Sequence, residues 1–219
     1  MENQPSKPVK GLLLVLAILG WFALLAQFYI NITSGIAPIP ELLIRYVSYF
    51  TILTNLLVAV CCTSILLAPN SAQTRFFLRA KTLTAITVYI LILGLIYNLI
   101  LRFLWLPMGL QKLVDELLHS VIPLLLLVFW GFYVSKTQLV WRDVFPWLIY
   151  PLTYVILIFA RGSVSGFYPY PFIHAGSLGY EKAITNAVGI AIAFLVVSLL
   201  FIGIAKLITK KSVTGESKS

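Results

Sequence analysis

Charge is what this chain is short of. Only 11% of its 219 residues are Asp, Glu, Lys or Arg, while 60% are hydrophobic. A soluble domain of this length has no interior able to bury so much apolar side chain, so the solvent must be a bilayer. Carboxylates are the scarcest charge, 7 against 16 lysines and arginines. In a membrane protein the net charge of +9 reports orientation, and a nucleic-acid partner is not expected. The 2 cysteines, Cys61 and Cys62, are adjacent in an apolar run. They form neither a disulfide framework nor a metal pair, and read as small packing residues. There is no Gly-rich phosphate loop, no Cys-x-x-Cys, no His-Glu-x-x-His and no Gly-x-Ser-x-Gly. No lysine stands at a span centre, which argues against a retinal protein.

Long apolar runs are what the chain has instead. A span needs about 20 mostly apolar residues, and six such segments are read at 11–32, 42–68, 82–104, 113–134, 144–160 and 184–208. The predicted class is all-α: a polytopic protein with six transmembrane helices in a domain over 11–208, flanked by tails at 1–10 and 209–219. The first segment is too long for a signal peptide and lacks a small-residue cleavage site. The fifth is short and holds Pro146 and Pro151, which predicts a displaced or kinked helix. The first three spans do not align with the last three, which weighs against an inverted-repeat transporter. With six spans both termini share one side. That side collects Lys7 and Lys10, then Arg75, Arg79 and Lys81, then Lys136 and Arg142, and last Lys206, Lys210, Lys211 and Lys218. The positive-inside rule makes it cytoplasmic. Trp105, Trp141 and Trp147 fit an interfacial aromatic belt, and Arg45 a snorkelling side chain.

Polar residues inside such spans are costly and mark a site by default. Under this topology they gather in the outer half of the membrane. Thr51 is placed roughly 14 Å into the second span and His119 roughly 9 Å into the fourth, with Asn98 at similar depth in the third. Thr51, Thr54 and Asn55 share one helix face, as do Asn98 and Arg102. Asp115 and Glu116 both neighbour His119 at helical spacing, and either carboxylate would orient the imidazole. Pro123, four residues on, has no N–H for the His119 carbonyl, so the helix is free to kink there. Between spans five and six, "RGSVSGFYPYPFIHAGSLGYE" is too broken for one helix and too apolar for a free loop. An interfacial or re-entrant segment is expected, with Tyr168, Tyr170 and Phe172 dipping into lipid or capping a pocket. The spacing of Asp115, Glu116, His119 and His174 matches no metal-ligand pattern. Neither a metal nor another cofactor is expected.

The threonine face "YFTILTNLL", then "LLHSVIPLLL" and "GFYPYPFI", occur in an order that resembles a known family. It comprises the androgen-induced-gene and androgen-dependent tissue-factor-pathway-inhibitor-regulating membrane proteins with their bacterial six-span "Pr-six-Pr" relatives. The resemblance implies an intramembrane threonine hydrolase acting on fatty-acid esters of hydroxy fatty acids. The family histidine falls on His119 and the threonine on Thr51 or Thr54, with Thr51 preferred because it lies nearer the outer end. On that reading Thr51 is the nucleophile and His119 the general base. Asn55 or Asn98 donates to the oxyanion, Asp115 or Glu116 supports the base, and Arg102 or Arg161 holds a substrate carboxylate. Tyr168, Tyr170 and His174 complete the substrate-binding set. The ester partner comes from the outer leaflet of, most simply, a bacterial cytoplasmic membrane. The alternative is a lipid- or ligand-binding protein or transporter that uses the same cluster and breaks no bond.

Overall fold

A computed structural model describes residues 7–104 and 106–216, with side chains to 210. Among the described residues every regular element is helical. Six helices are long and apolar enough to cross a membrane: Lys7–Thr33, Phe50–Leu67, Ala80–Phe103, Gly109–Tyr133, Trp141–Ser165 and Tyr180–Lys210. The chain is an integral membrane protein of two compact units, Met1–Val134 and Ser135–Ser219.

The first unit holds four spans, and the order of its elements follows the order of helix breakers. Helix α1 (Lys7–Thr33) ends before Gly35, whose positive φ of 63° turns the chain. Pro38 and Pro40 open α2 (Ile39–Ser48), and α3 (Phe50–Leu67) follows after a single extended residue, Tyr49. The second span is therefore broken where 42–68 was expected to be continuous. No glycine or proline stands at the break. It is held by tertiary packing: Tyr46 and Tyr49 lie on a core of Leu24, Ile52 and Ala59, and the Tyr46 hydroxyl donates to the Leu24 carbonyl at 2.7 Å. The short α4 (Ala72–Phe77), capped by Ser71, leads into α5 (Ala80–Leu99) and a 3₁₀ turn at Leu101–Phe103. The fourth span comprises α6 (Gly109–Glu116), a π-helical turn at Leu117–Val121 and α7 (Ile122–Tyr133). It begins four residues before the expected 113, because Gly109 (φ 56°) and not the apolar run sets its start.

Close approach fixes how these helices register. A Cβ on Gly20 would lie 3.1 Å from that of Ala59, so α1 and α3 meet at small residues. The Trp21 indole donates to Thr63 Oγ1 at 3.0 Å one turn further along. On the other side Trp130 Nε1 donates to Thr84 Oγ1 at 2.9 Å, tying α7 to α5 inside the core. The helices run antiparallel. Lys7, Lys10, Arg75, Arg79 and Lys81 stand at one end of this unit; Glu41, Asp115 and Glu116 lie towards the other.

The second unit holds α8 (Val144–Ser165), a 3₁₀ turn at Pro171–Ile173, the one-turn α9 (Ala175–Leu178) and α10 (Tyr180–Glu216). The fifth span, with a 3₁₀ turn before α8, runs Trp141–Ser165 and is longer than the 144–160 expected. Pro146 falls in the first turn of α8, where a missing N–H is harmless, and Pro151 lies inside the helix. Helices also extend into both expected tails, α1 starting at Lys7 and α10 reaching Glu216. Of the belt tryptophans, Trp141 is exposed, Trp147 is buried in the core of its unit, and Trp105 lies outside the described residues.

Candidate functional site

Two irregularities in the helices of the first unit meet at one place. The break at Tyr49 puts Thr51 in the first turn of α3. The π turn puts His119 at the same level of the fourth span. Thr51 Oγ1 and His119 Nε2 are 3.3 Å apart, and both residues are buried. The ring's other nitrogen, Nδ1, lies 2.9 Å from the main-chain carbonyl of Asp115. A carbonyl only accepts, so Nδ1 carries the proton and Nε2 of the neutral ring presents a lone pair to the threonine hydroxyl. Of the two candidate threonines, the one beside the imidazole is Thr51. Thr54 is wholly buried about one turn deeper. Counted from Gly109, His119 lies about 15 Å along its span, deeper than the shorter span predicted.

The π turn has an identifiable cause. In an α-register the carbonyls of Leu118 and His119 would accept from the N–H groups of residues 122 and 123. Residue 123 is proline and has none. The Ile122 N–H goes instead to the Leu117 carbonyl, five residues back. Both carbonyls are released, and each is met by an asparagine of another helix. Asn55 Nδ2 donates to Leu118 O at 3.3 Å and to Thr51 O at 2.9 Å. Asn98 Nδ2 donates to His119 O at 3.2 Å and to Gly94 O at 2.8 Å. The amides expected to serve an oxyanion are thus directed at main-chain carbonyls, which a bilayer interior leaves no water to satisfy. Asn55 Oδ1 is buried without a hydrogen-bond partner.

The carboxylates also differ from expectation. The imidazole is held by the backbone of Asp115, while its carboxylate accepts from Gln111 Nε2 at 2.8 Å. Gln111 exchanges amide hydrogen bonds with Gln27 of α1, at 2.9 and 3.3 Å. Glu116 pairs with Arg102, Nη2 to Oε2 at 2.8 Å, and both side chains are partly exposed. The same Nη2 donates to Ser120 Oγ at 3.2 Å. A substrate carboxylate on Arg102 would have to share it with Glu116.

Gln27, Gln111 and Ser120 were not anticipated in the site, nor were Tyr97 and Gly94, which bear directly on His119. Tyr97 stacks on His119 with ring centroids 4.0 Å apart and planes 10° from parallel, and Arg102 lies over the same tyrosine ring at 5.4 Å. Gly94 lets α5 reach the π turn: a Cβ there would lie 2.7 Å from the His119 carbonyl oxygen. Its spacing of four from Asn98 was the available signal. An aromatic within a span carries none.

Arg161, Tyr168, Tyr170 and His174 belong to the second unit. Arg161 lies over Phe167 at 4.7 Å, and Tyr170 stacks on Phe172 at 5.2 Å. Tyr168 is buried against Gly162, where a Cβ would come within 2.2 Å of its ring. Burial and a hydrogen bond with Tyr180 push its phenol up to about 12. His174 Nδ1 accepts from the Ser177 N–H at 3.3 Å, capping α9. Asn186 of α10 donates to Phe172 O at 2.8 Å and ties the segment down. Among the described residues, no three His, Cys, Asp or Glu side chains gather as metal ligands would. No family model, no curated protein and no solved structure matches the chain.

Proposed function

We propose that the chain is an intramembrane threonine-type hydrolase of lipid-like esters, in the manner of the androgen-induced-gene family it resembles. One observation carries the reading: Thr51 Oγ1 faces a His119 Nε2 whose tautomer is set by the Asp115 carbonyl. A nucleophile, a base in reach and a group that orients the base are what such chemistry requires.

Thr51 Oγ1 attacks the ester carbonyl carbon as its proton passes to His119 Nε2. The tetrahedral intermediate collapses, the ester C–O bond breaks, and the leaving alkoxide takes that proton and departs as an alcohol. Water then attacks the acyl-threonine and yields a proton to Nε2. The C–O bond to Thr51 breaks, Oγ1 recovers the proton, and a fatty acid leaves. Thr51 stands at the N-terminal end of α3, where the helix dipole favours the developing negative charge. The orientation that suits this chemistry has both termini cytoplasmic, as the lysine and arginine pattern argues, and an ester drawn from the outer leaflet of a bacterial cytoplasmic membrane. The aromatic segment around 166–179 then lies at the outer interface as an interfacial or re-entrant element.

A second reading, a lipid- or ligand-binding membrane protein that breaks no bond, is favoured by one observation. The amides of Asn55 and Asn98 are engaged with main-chain carbonyls. The test is hydrolysis of a fluorogenic medium-chain acyl ester, and of a fatty-acid ester of a hydroxy fatty acid, by purified protein in detergent. Wild type and Thr51→Ser are expected to turn over, and Thr51→Ala and His119→Ala to fall to background. A wild type inert on both esters and unlabelled by a fluorophosphonate would leave the binding protein standing.

A further inference from the structure

We infer that Asn98 and Asn55 are positioning residues. By taking the two carbonyls that Pro123 and the π turn release, they hold His119 in the one register and tautomer that faces Thr51. The kinetic arm of the test rests on the hydrolase reading; the structural claim does not.

In an α-register the His119 main-chain N–H would donate to the Asp115 carbonyl, four residues back. That carbonyl also receives the ring, with Nδ1 at 2.9 Å. The choice between these registers is a choice of which carbonyls find donors. The π register leaves Leu118 O and His119 O to be satisfied from elsewhere, in an interior where an unsatisfied carbonyl is expensive. Asn55 reaches the first from α3 and Asn98 the second from α5. Each amide also donates to the carbonyl four residues before it in its own helix, at 2.9 Å for Thr51 O and 2.8 Å for Gly94 O. Its direction is therefore fixed at both hydrogens, and the acceptors leave no room for a flipped amide. Asn55 thus grips the backbone of the proposed nucleophile and the residue before the base with one side chain. Asn98 closes the clamp from the other side, where the absence of a Cβ at Gly94 lets α5 approach.

The tautomer can be read without any substrate. The chain has 2 histidines, so protein labelled with ¹⁵N-histidine gives two sets of ring resonances, assigned by His174→Gln. Wild-type His119 is expected as a single species, protonated at Nδ1 and bare at Nε2. Asn98→Leu removes the donor, and the ring is expected to lose that single state. Pro123→Ala leaves both asparagines in place but supplies an N–H for His119 O, so it too should release the Nδ1–H species. It remains informative if Asn98→Leu does not fold. The two substitutions should also be coupled: Pro123→Ala raises the melting temperature more in Asn98→Leu than in wild type. For an active enzyme, Asn98→Leu lowers kcat about 100-fold with little change in KM, the size expected when a catalytic group shifts by an ångström. A wild-type ring protonated at Nε2, an Asn98→Leu ring unchanged from wild type, or equal effects of Pro123→Ala in both backgrounds would each overturn the inference. Inert wild-type protein with the expected tautomers would count against the hydrolase alone.

Discussion

Adding one methyl group at Gly94 is the sharpest perturbation this packing offers. An alanine Cβ there would sit 2.7 Å from the His119 carbonyl oxygen and 3.4 Å from both Cβ and Cγ of Pro123. Ordinary contact begins near 3.4 Å, so about 0.7 Å of separation (3.4 less 2.7) has to be found. The obstacle is backbone, braced by Asn98 at 3.2 Å, and has no flexible end to swing aside. Overpacking of this kind costs about 1–3 kcal/mol. For a chain of this size that is about 2–12 °C in melting temperature. Helix propensity works the opposite way, since glycine to alanine within a helix gains up to about 1 kcal/mol. Gly131 and Gly189 are helical glycines whose added Cβ meets nothing within 4 Å, so they report propensity alone. The assay is thermal unfolding of Gly94→Ala, Gly131→Ala and Gly189→Ala in one detergent, followed by tryptophan fluorescence. Gly94→Ala should melt below wild type while the two controls melt at or above it. A Gly94→Ala protein as stable as its controls would mean that α5 and the π turn are not in contact, and the clamp on His119 would go with it.

Other substitutions test the rest of the packing. Gly162→Ala should destabilise the second unit by displacing the Tyr168 ring, and Tyr168→Ala should relieve most of that loss; additive melting shifts in the double variant would refute the contact. Thr84→Val removes the acceptor of the buried Trp130 indole and should cost about 1–3 kcal/mol, whereas Thr87→Val, which loses a bond to its own helix at Leu83 O, should be nearly neutral. Equal losses would argue against the inter-helix bond. The Tyr168 phenol is held up to about 12 against an unfolded value near 10, so the folded state keeps a proton that the unfolded state gives up between those pH values. Stability should therefore fall as pH rises from about 10 to about 12, and Tyr168→Phe should flatten that part of the curve; an identical slope in both proteins would be the contrary result.

Much of the fold was open to reading because it follows from composition. Apolar run length alone located six spans, and glycine and proline set most of their ends. The break at Tyr49 was hidden for a physical reason: nothing in "RYVSYFT" disfavours a helix, and the break depends on Tyr46 and Tyr49 packing on α1. The pairing of His119 with a threonine was legible from depth, because residues at one level of neighbouring spans can meet. The partners of the histidine were less so. Helical spacing put Asp115 and Glu116 beside it, and spacing cannot tell a carboxylate from the carbonyl of the same residue. Asn55 and Asn98 were noticed as costly polar groups in lipid and given a catalytic use. The cheaper use, satisfying a neighbouring carbonyl, needs the neighbour's register, which only the fold supplies.

That last point joins Pro123 to the two asparagines. A proline in a span removes one donor and leaves its helix with a carbonyl to place. In water the solvent would take it; in a bilayer another helix must. Here the debt falls on the carbonyl of the histidine itself, and the π turn adds that of its neighbour. Two asparagines on two helices then have to be at that level, one of them a single turn from Thr51. The irregular backbone and the polar residues around it are one feature, each intelligible only with the other. A chain selected only for span stability would be better served by alanine at 123 and leucine at 55 and 98. Keeping proline and both asparagines costs helix regularity, and what the arrangement provides is an imidazole with a bare nitrogen turned towards a threonine.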